Sequence, residues 1–194
     1  NYNEQRAAAY AAISQPIGEH YFAKAGSRAE NTRLERLDLI EEDLVEQNYW
    51  TWVPNAYISR NFENKTSLAL SYAQRISRPS FTLLNNNIRK VNDFRFELGN
   101  PDLQPEYVHR FELSYNQKKQ TIATYYNLTT DAINGIYFLE DQVAFYKKFN
   151  EGKQAQYGIE YNRFGNLNKW WYVRASAHLY RRKYINEAGE DSFE

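Results

Sequence analysis

The sequence predicts an all-β chain, an antiparallel up-and-down meander of about eight strands. Three observations carry that prediction: short and long polar connections alternate along the chain, the segments between them sort apolar from polar residues with a period of two, and those segments are unusually long. The short connections are Gln15-Pro16-Ile17-Gly18-Glu19, Phe62-Glu63-Asn64-Lys65, Asn116-Gln117-Lys118-Lys119-Gln120 and Gly165-Asn166-Leu167-Asn168. The long ones are 34–48, 79–105 and 130–153. A meander whose two ends face different surroundings gives this rhythm, and a βαβ chain does not.

The strands follow in order. Segment 5–14 carries a run of Ala that does not distinguish two faces, so a helix there stays open. In 20–33 the charges Lys24, Arg28 and Glu30 share one parity, opposite Tyr21, Ala23, Ala25 and Ala29. Segment 49–61 opens on Tyr49, Trp50 and Trp52, and 66–78 follows the second short turn. In 106–117 Tyr107, Phe111, Leu113 and Tyr115 oppose Arg110, Glu112 and Ser114; segment 120–131 returns from it. Segment 153–164 sets Ala155, Tyr157, Ile159 and Tyr161 against Gln154, Gln156, Gly158 and Glu160. In 168–183 Trp171, Val173, Ala175, Ala177 and Leu179 oppose Trp170, Tyr172, Arg174, Ser176, His178 and Tyr180; Arg181 breaks parity near a strand end. Within 130–152 a small hairpin is expected, Ile136–Leu139 against Val143–Tyr146, turning at Glu140-Asp141.

Most of these strands reach the ~9–11 residues that a tilted strand needs to cross hydrocarbon and exceed the ~5–6 residues usual in globular sheets. The meander is therefore read as part of the wall of a large transmembrane β-barrel. A misplaced Arg at the bilayer midplane costs ~2–4 kcal/mol, which gives the two-face sorting an energetic reason. There is no run of about eighteen apolar residues to form a membrane helix. The mean hydropathy of −0.81 does not oppose a barrel, because only alternate residues meet lipid. Aromatics make up 16% of the chain, with 17 Tyr, 11 Phe and 4 Trp. They gather at strand ends, as membrane girdles do; cross-strand packing in an ordinary sheet is the other reading.

Several functions are excluded or unsupported. The 24 basic and 24 acidic residues leave zero formal charge, so nothing draws the chain to nucleic acid. Without Cys there is no disulfide, thiolate or Cys-ligated metal. His20, His109 and His178 fall on separate strands with no ligand partner at metal spacing, and no nucleophile, phosphate-loop or zinc-protease motif occurs. The chain is read as a non-enzyme that needs no cofactor. Arg110 and Glu112 share a face; mutual neutralisation inside a polar lumen is the simpler reading and ligand contact the other. Arg174 and His178 share the polar face of the last long strand. The long segment 79–105 has the most binding character, with Arg89, Phe94, Arg95 and Phe96 supplying stacking and hydrogen bonding in one place. A solvated loop with short strand pairing is the alternative there.

The run Gly99-Asn100-Pro101-Asp102-Leu103-Gln104-Pro105-Glu106, leading straight into Tyr107–Tyr115, resembles the loop-to-strand signature of TonB-dependent outer-membrane receptors. Arg75-Ile76-Ser77-Arg78-Pro79-Ser80-Phe81 resembles the strand end that precedes it in that family. The resemblance implies a barrel of about 22 strands with a plugged lumen, set in the outer membrane of a Gram-negative cell. It implies outer-membrane lipid, a transported ligand and the TonB energy-coupling complex as partners, the last acting through a plug. Residues 1–194 are read as part of a single barrel domain, an internal piece of a longer protein, with the plug and TonB box outside it. Cut from a barrel, the piece would have two open edges and an apolar face, and is expected to self-associate. The rival function is a surface or secreted β-protein that binds glycans or protein through exposed aromatics, with no transport role.

Overall fold

The computed structural model describes residues 2–37, 44–86, 88–140, 142–166, 168–185 and 191–193. In chain order the elements are β1 (Tyr2–Ile17), β2 (Tyr21–Leu37), β3 (Leu44–Phe62), β4 (Thr66–Ser77), the short helix α1 (Phe81–Leu84), β5 (Ile88–Asn92) and β6 (Arg95–Leu98). There follow β7 (Glu106–Gln117), β8 (Gln120–Thr130), β9 (Ile133–Glu140), β10 (Val143–Asn150), β11 (Lys153–Asn166), β12 (Tyr172–Ile185) and β13 (Asp191–Phe193). The wall sheet has the order β1-β2-β3-β4-β7-β8-β11-β12-β13, antiparallel at every step; a second sheet has the order β5-β6-β10-β9. The eight long strands are those expected, and the wall sheet is open at both edges rather than closed within this chain.

Segment 5–14 is strand, not helix, because all of β1 pairs with β2, from Tyr2↔Arg36 to Ile17↔Tyr21. The expected loop 34–48 is largely strand as well. Strand β2 runs to Leu37 and β3 starts at Leu44, and a hydrogen bond from Asn31 Nδ2 to Asn48 Oδ1 (2.8 Å) ties the ribbon; positions 38–43 of that loop lie outside the described residues. The last long strand begins at Tyr172 rather than 168, leaving Trp170 and Trp171 before it, with their amides donating to Asn168 Oδ1 at 2.9 Å. The hairpin of segment 130–152 pairs as expected, with Tyr137↔Tyr146 and Phe138↔Phe145, and is longer than expected. Asp141 of its turn and Leu167 of the last short turn lie outside the described residues.

Register sorts the wall into two faces. One rung after another places Leu70 beside Leu113, Thr124, Ile159 and Leu179, and Leu68 beside Tyr115, Ile122 and Tyr161. On this face Leu70, Leu113, Ile159 and Leu179 are all exposed. In water that row would forfeit ~25 cal/mol for every Å² left uncovered; against lipid it costs nothing. On β3 the same face carries Trp50 and Trp52 near one end and Phe62 at the other, all exposed. Trp52 and Phe62 are ten residues apart, about 33 Å along a strand. A barrel tilt near 40° reduces this to about 25 Å, the height of the apolar band of outer-membrane barrels. Arg60, on the same face beside the lower aromatics, holds its guanidinium 5.4 Å from the Tyr21 ring and 5.0 Å from the Phe62 ring. It is a cation at the interface, where such a charge is cheap. No helix among the described residues is long and apolar enough to cross a membrane, which bears on helical spans only.

The connections β1–β2, β3–β4 and β7–β8 are tight turns at one end; those leading from β4 to β7 and from β8 to β11 lie at the other end and build α1 and the second sheet. The Gly99–Glu106 run is the tie between them. Asn100 is 5% exposed and makes four bonds, the weakest at its carbonyl, which accepts from the Leu103 amide (3.4 Å). Its amide donates to the Leu83 carbonyl (2.6 Å), its Nδ2 to the Lys148 carbonyl (2.7 Å), and its Oδ1 accepts from the Asp102 amide (3.2 Å). At Gly99 a Cβ would run into the Asn85 carbonyl, so only Gly fits that approach. Leu103, 1% exposed, and the buried Leu34 and Leu84 line one small cavity together with polar side chains that include Arg78. Gln104 and Asn150 exchange two bonds (2.7 and 2.8 Å), and Glu106 Oε2 accepts from the Ile133 amide at 3.1 Å. Arg78 pairs with buried Glu30 and reaches Thr32 Oγ1 at 3.3 Å, so the first crossover is fastened to the polar face of β2. These ties fold the two crossovers into one cap.

Candidate functional site

Two constellations hold the residues singled out above. The first lies under the cap. Strand β6 pairs in parallel with β10 (Arg95↔Ala144, Phe96↔Phe145, Glu97↔Tyr146, Leu98↔Lys147), and antiparallel with β5. Period-two alternation then divides the cap sheet. One face stacks Phe96 on Phe145 and Phe138 on Phe145, with both pairs of rings 5.6 Å apart. The opposite face presents Arg89, Arg95, Glu97, Tyr137, Tyr146 and Lys148, which with Thr82, Leu83 and Asn85 of the α1 region line a cavity of about 800 Å³. That volume falls in the ~300–1,000 Å³ range of small-molecule sites.

The chemistry of this face is cationic and aromatic. Glu97 accepts from Arg89 Nη2 and from Arg95 Nη2 (3.1 Å for the latter). The Arg89 hydrogen bond, helped by the charges of both arginines, holds the Glu97 carboxyl below the ordinary carboxylate range. The rings of Tyr137 and Tyr146 lie 4.7 Å apart, and the Arg95 guanidinium sits 5.4 and 5.9 Å from their centroids. Gly135 makes room for this pair, since a Cβ there would occupy the place of the Tyr146 ring. Arg95 Nε is buried and has no hydrogen-bond partner among the described residues.

The second constellation lies on the polar face of the wall, across β7, β8, β11 and β12. Arg110 donates to Glu112 Oε2 through Nε (3.0 Å) and Nη2 (2.6 Å), and reaches Glu160 Oε1 at 3.4 Å. Its guanidinium also lies 4.5 Å over the Tyr125 ring. The Tyr125 hydroxyl is 2.7 Å from His178 Nε2 and accepts from Gln156 Nε2 at 3.1 Å. Gly158, in register between Tyr125 and Tyr180, lets the Tyr125 side chain cross β11; a Cβ there would sit 2.5 Å from the Leu179 carbonyl oxygen. The expected neutralisation of Arg110 by Glu112 is therefore realised within a larger network.

Of the residues named from sequence, Arg89 and Arg95 line the cavity, and Arg110, Glu112 and His178 meet in the wall network. Phe96 is turned to the opposite face of the cap sheet, and Phe94, 72% exposed, occupies the β5–β6 turn. The expected single cluster of Arg89, Phe94, Arg95 and Phe96 is thus split, because adjacent residues of one strand point to opposite faces. Arg174 is on the polar face of β12, in register with Phe164, outside the network. Sequence reasoning missed Tyr137, Tyr146 and Lys148 at the cavity and Tyr125, Gln156 and Glu160 in the wall. The hairpin turn fixes Tyr137 opposite Tyr146, and the shared parity of Glu160 with the other lumen charges was a usable signal. Among the described residues no group of three His, Cys, Asp or Glu could hold a metal.

The sequence profile of the outer membrane protein beta-barrel family matches residues 1–193. No curated protein sequence matches the chain. Among solved structures, the copper transporter OprC superposes with a TM-score of 0.72 at 14% identity, covering 98% of this chain and 30% of its own. A double mutant of the Serratia marcescens hemophore receptor HasR, in complex with its hemophore HasA and heme, gives 0.67 at 14% identity, covering 94% and 34%. The siderophore receptor PirA from Pseudomonas aeruginosa gives 0.60 at 11% identity, covering 96% and 46%. The chain spans from under a third to under a half of the length of these proteins, and it is similar to them in the fold of the barrel wall.

Proposed function

This chain belongs to the outer membrane protein beta-barrel family, and on that premise we propose that it forms part of the wall and cap of a receptor that binds a substrate at the cell surface and admits it by TonB-energised uptake. The family places the chain in the outer membrane of a Gram-negative cell. The observation that carries the receptor reading is the cap. Both long crossovers leave the same end of the wall, share one sheet, and enclose a cavity lined by Arg and Tyr. A plain pore needs no such enclosure. That OprC is a copper transporter, HasR a hemophore receptor and PirA a siderophore receptor agrees with this reading. In it the cap lies outside the cell, the short turns at Gly18, Lys65 and Lys118 are periplasmic, and the polar face with Arg110, Glu112, Arg174 and His178 lines the lumen beside a plug that lies outside this chain.

The test is photo-cross-linking of the full-length protein in intact cells. Cross-links to TonB that increase when substrate is present support the energised step. Full-length protein that never cross-links to TonB under any growth condition overturns it. A glycan- or protein-binding role without transport would retain the surface cap and lack that contact.

A further inference from the structure

We propose that the cap cavity is a site for a small organic anion, whose carboxylate or phosphoryl group is held by Arg89, Arg95 and Lys148 while its planar body lies along Tyr137 and Tyr146. The inference rests on reading the cap as the receptor's binding face, and it adds the chemical class of what is bound.

Charge is the first support. The lining carries three cations, Arg89, Arg95 and Lys148, against the single carboxylate of Glu97, so the site has a net positive charge. The second support is donor capacity. A guanidinium has five N–H donors in a fixed fork that matches planar oxyanions. Arg89 and Arg95 each give one nitrogen to Glu97, and Arg95 Nε is buried with no acceptor among the described residues. A buried donor without an acceptor is costly, so the Arg95 guanidinium has hydrogen-bonding capacity that Glu97 does not use. The third is shape. Tyr137 and Tyr146 stand next to Arg95 and leave an apolar, aromatic wall beside the charged one. A bare inorganic ion would use only half of that surface.

Glu97 has a distinct part in this arrangement. It occupies the arginine forks that a ligand anion needs, so it competes with the ligand. Removing its charge should strengthen anion binding, whereas a merely structural Glu97 would weaken it when lost.

The experiment uses the full-length protein in detergent, with benzoate, phenyl phosphate and benzylamine as probes in titration calorimetry or saturation-transfer NMR. One or both anions should bind and benzylamine should not; the preferred anion identifies carboxylate or phosphoryl as the head group. Arg95→Gln should weaken the anion at least about tenfold, the equivalent of ~1.4 kcal/mol. Glu97→Gln, which replaces the carboxylate with a neutral amide of the same shape, should tighten it several-fold. Binding of benzylamine as tight as that of the anions, no binding of either anion, or weaker binding in Glu97→Gln would each overturn the proposal. Cross-linking to TonB with no anion binding would sink this inference and leave the receptor reading standing; anion binding without TonB contact would do the reverse.

Discussion

Replacing Asn100 with Ala should release the cap from the wall without unfolding the wall. The side chain gives one bond to the Lys148 carbonyl and takes one from the Asp102 amide, at 2.7 and 3.2 Å, and the residue is 5% exposed. Each bond is worth ~1 kcal/mol net, and each buried partner left unsatisfied adds ~1–3 kcal/mol, less where water can enter. The expected loss is about 2–4 kcal/mol, confined to α1, β5, β6, β9 and β10. At ~1.4 kcal/mol per tenfold, amides of β6 and β10 should exchange hydrogen about 30- to 700-fold faster. Hydrogen-exchange mass spectrometry on the full-length protein in detergent reads this directly, with β7, β8 and β11 as internal controls. Asn100→Asp keeps the acceptor for the Asp102 amide but turns oxygen toward the Lys148 carbonyl. It should therefore loosen β10 as much as Ala does while sparing the turn. Unchanged exchange in the cap, or equal acceleration in the wall, would refute the role assigned to Asn100.

Two further outcomes follow from other contacts. Gly158→Ala places a Cβ against the Leu179 carbonyl and the Tyr125 hydroxyl; thermal unfolding in detergent should show a loss of ~1–3 kcal/mol, as overpacking does, and wild-type stability would show that β11 and β12 can part freely. The Glu97 clamp has a folded pKa below its ordinary value, so its contribution is complete above that ordinary value and is lost only as pH falls through the lower folded one; amide protection across the Arg89↔Glu97 rung, taken relative to the intrinsic exchange rate at each pH, should hold steady from pH 7 to about 5, and a fall in protection within that window would contradict the clamp.

The wall was legible in the sequence because lipid punishes the wrong residue on one face. Leu113 and Arg110, or Ile159 and Glu160, cannot trade places, so parity survives in the chain. Beyond the bilayer that pressure ends. Residues Leu34–Leu37 continue β2 although charge falls on both faces, which is why the ribbon above β2 and β3 looked like loop. The cap was hidden for a different reason. Its central pair joins β6 to β10 across the whole β7–β8 hairpin, and no local pattern reports a partner some fifty residues away. The Gly99–Glu106 run was visible as a turn, but its partners Leu83, Lys148 and Asn150 come from two distant elements, α1 and β10. Within the cavity the same rule of alternation that located the strands would have separated Arg95 from Phe96.

The parallel pairing of β6 with β10 also sets an order of assembly. Residues 95–98 and 144–147 meet only after β7 and β8 have run down the wall and back. Forming that pair first would close a loop of about fifty residues for four rungs of hydrogen bonding, an entropic cost with little return. Once the β7–β8 hairpin exists, both crossovers start from the same end, and the remaining closure is short. The wall is thus the template on which the cap is laid down, and the cap is the last part of this region to acquire its shape. A chain stalled before that step would hold a finished barrel segment beneath an unformed cap, so damage to the cap should leave the wall intact.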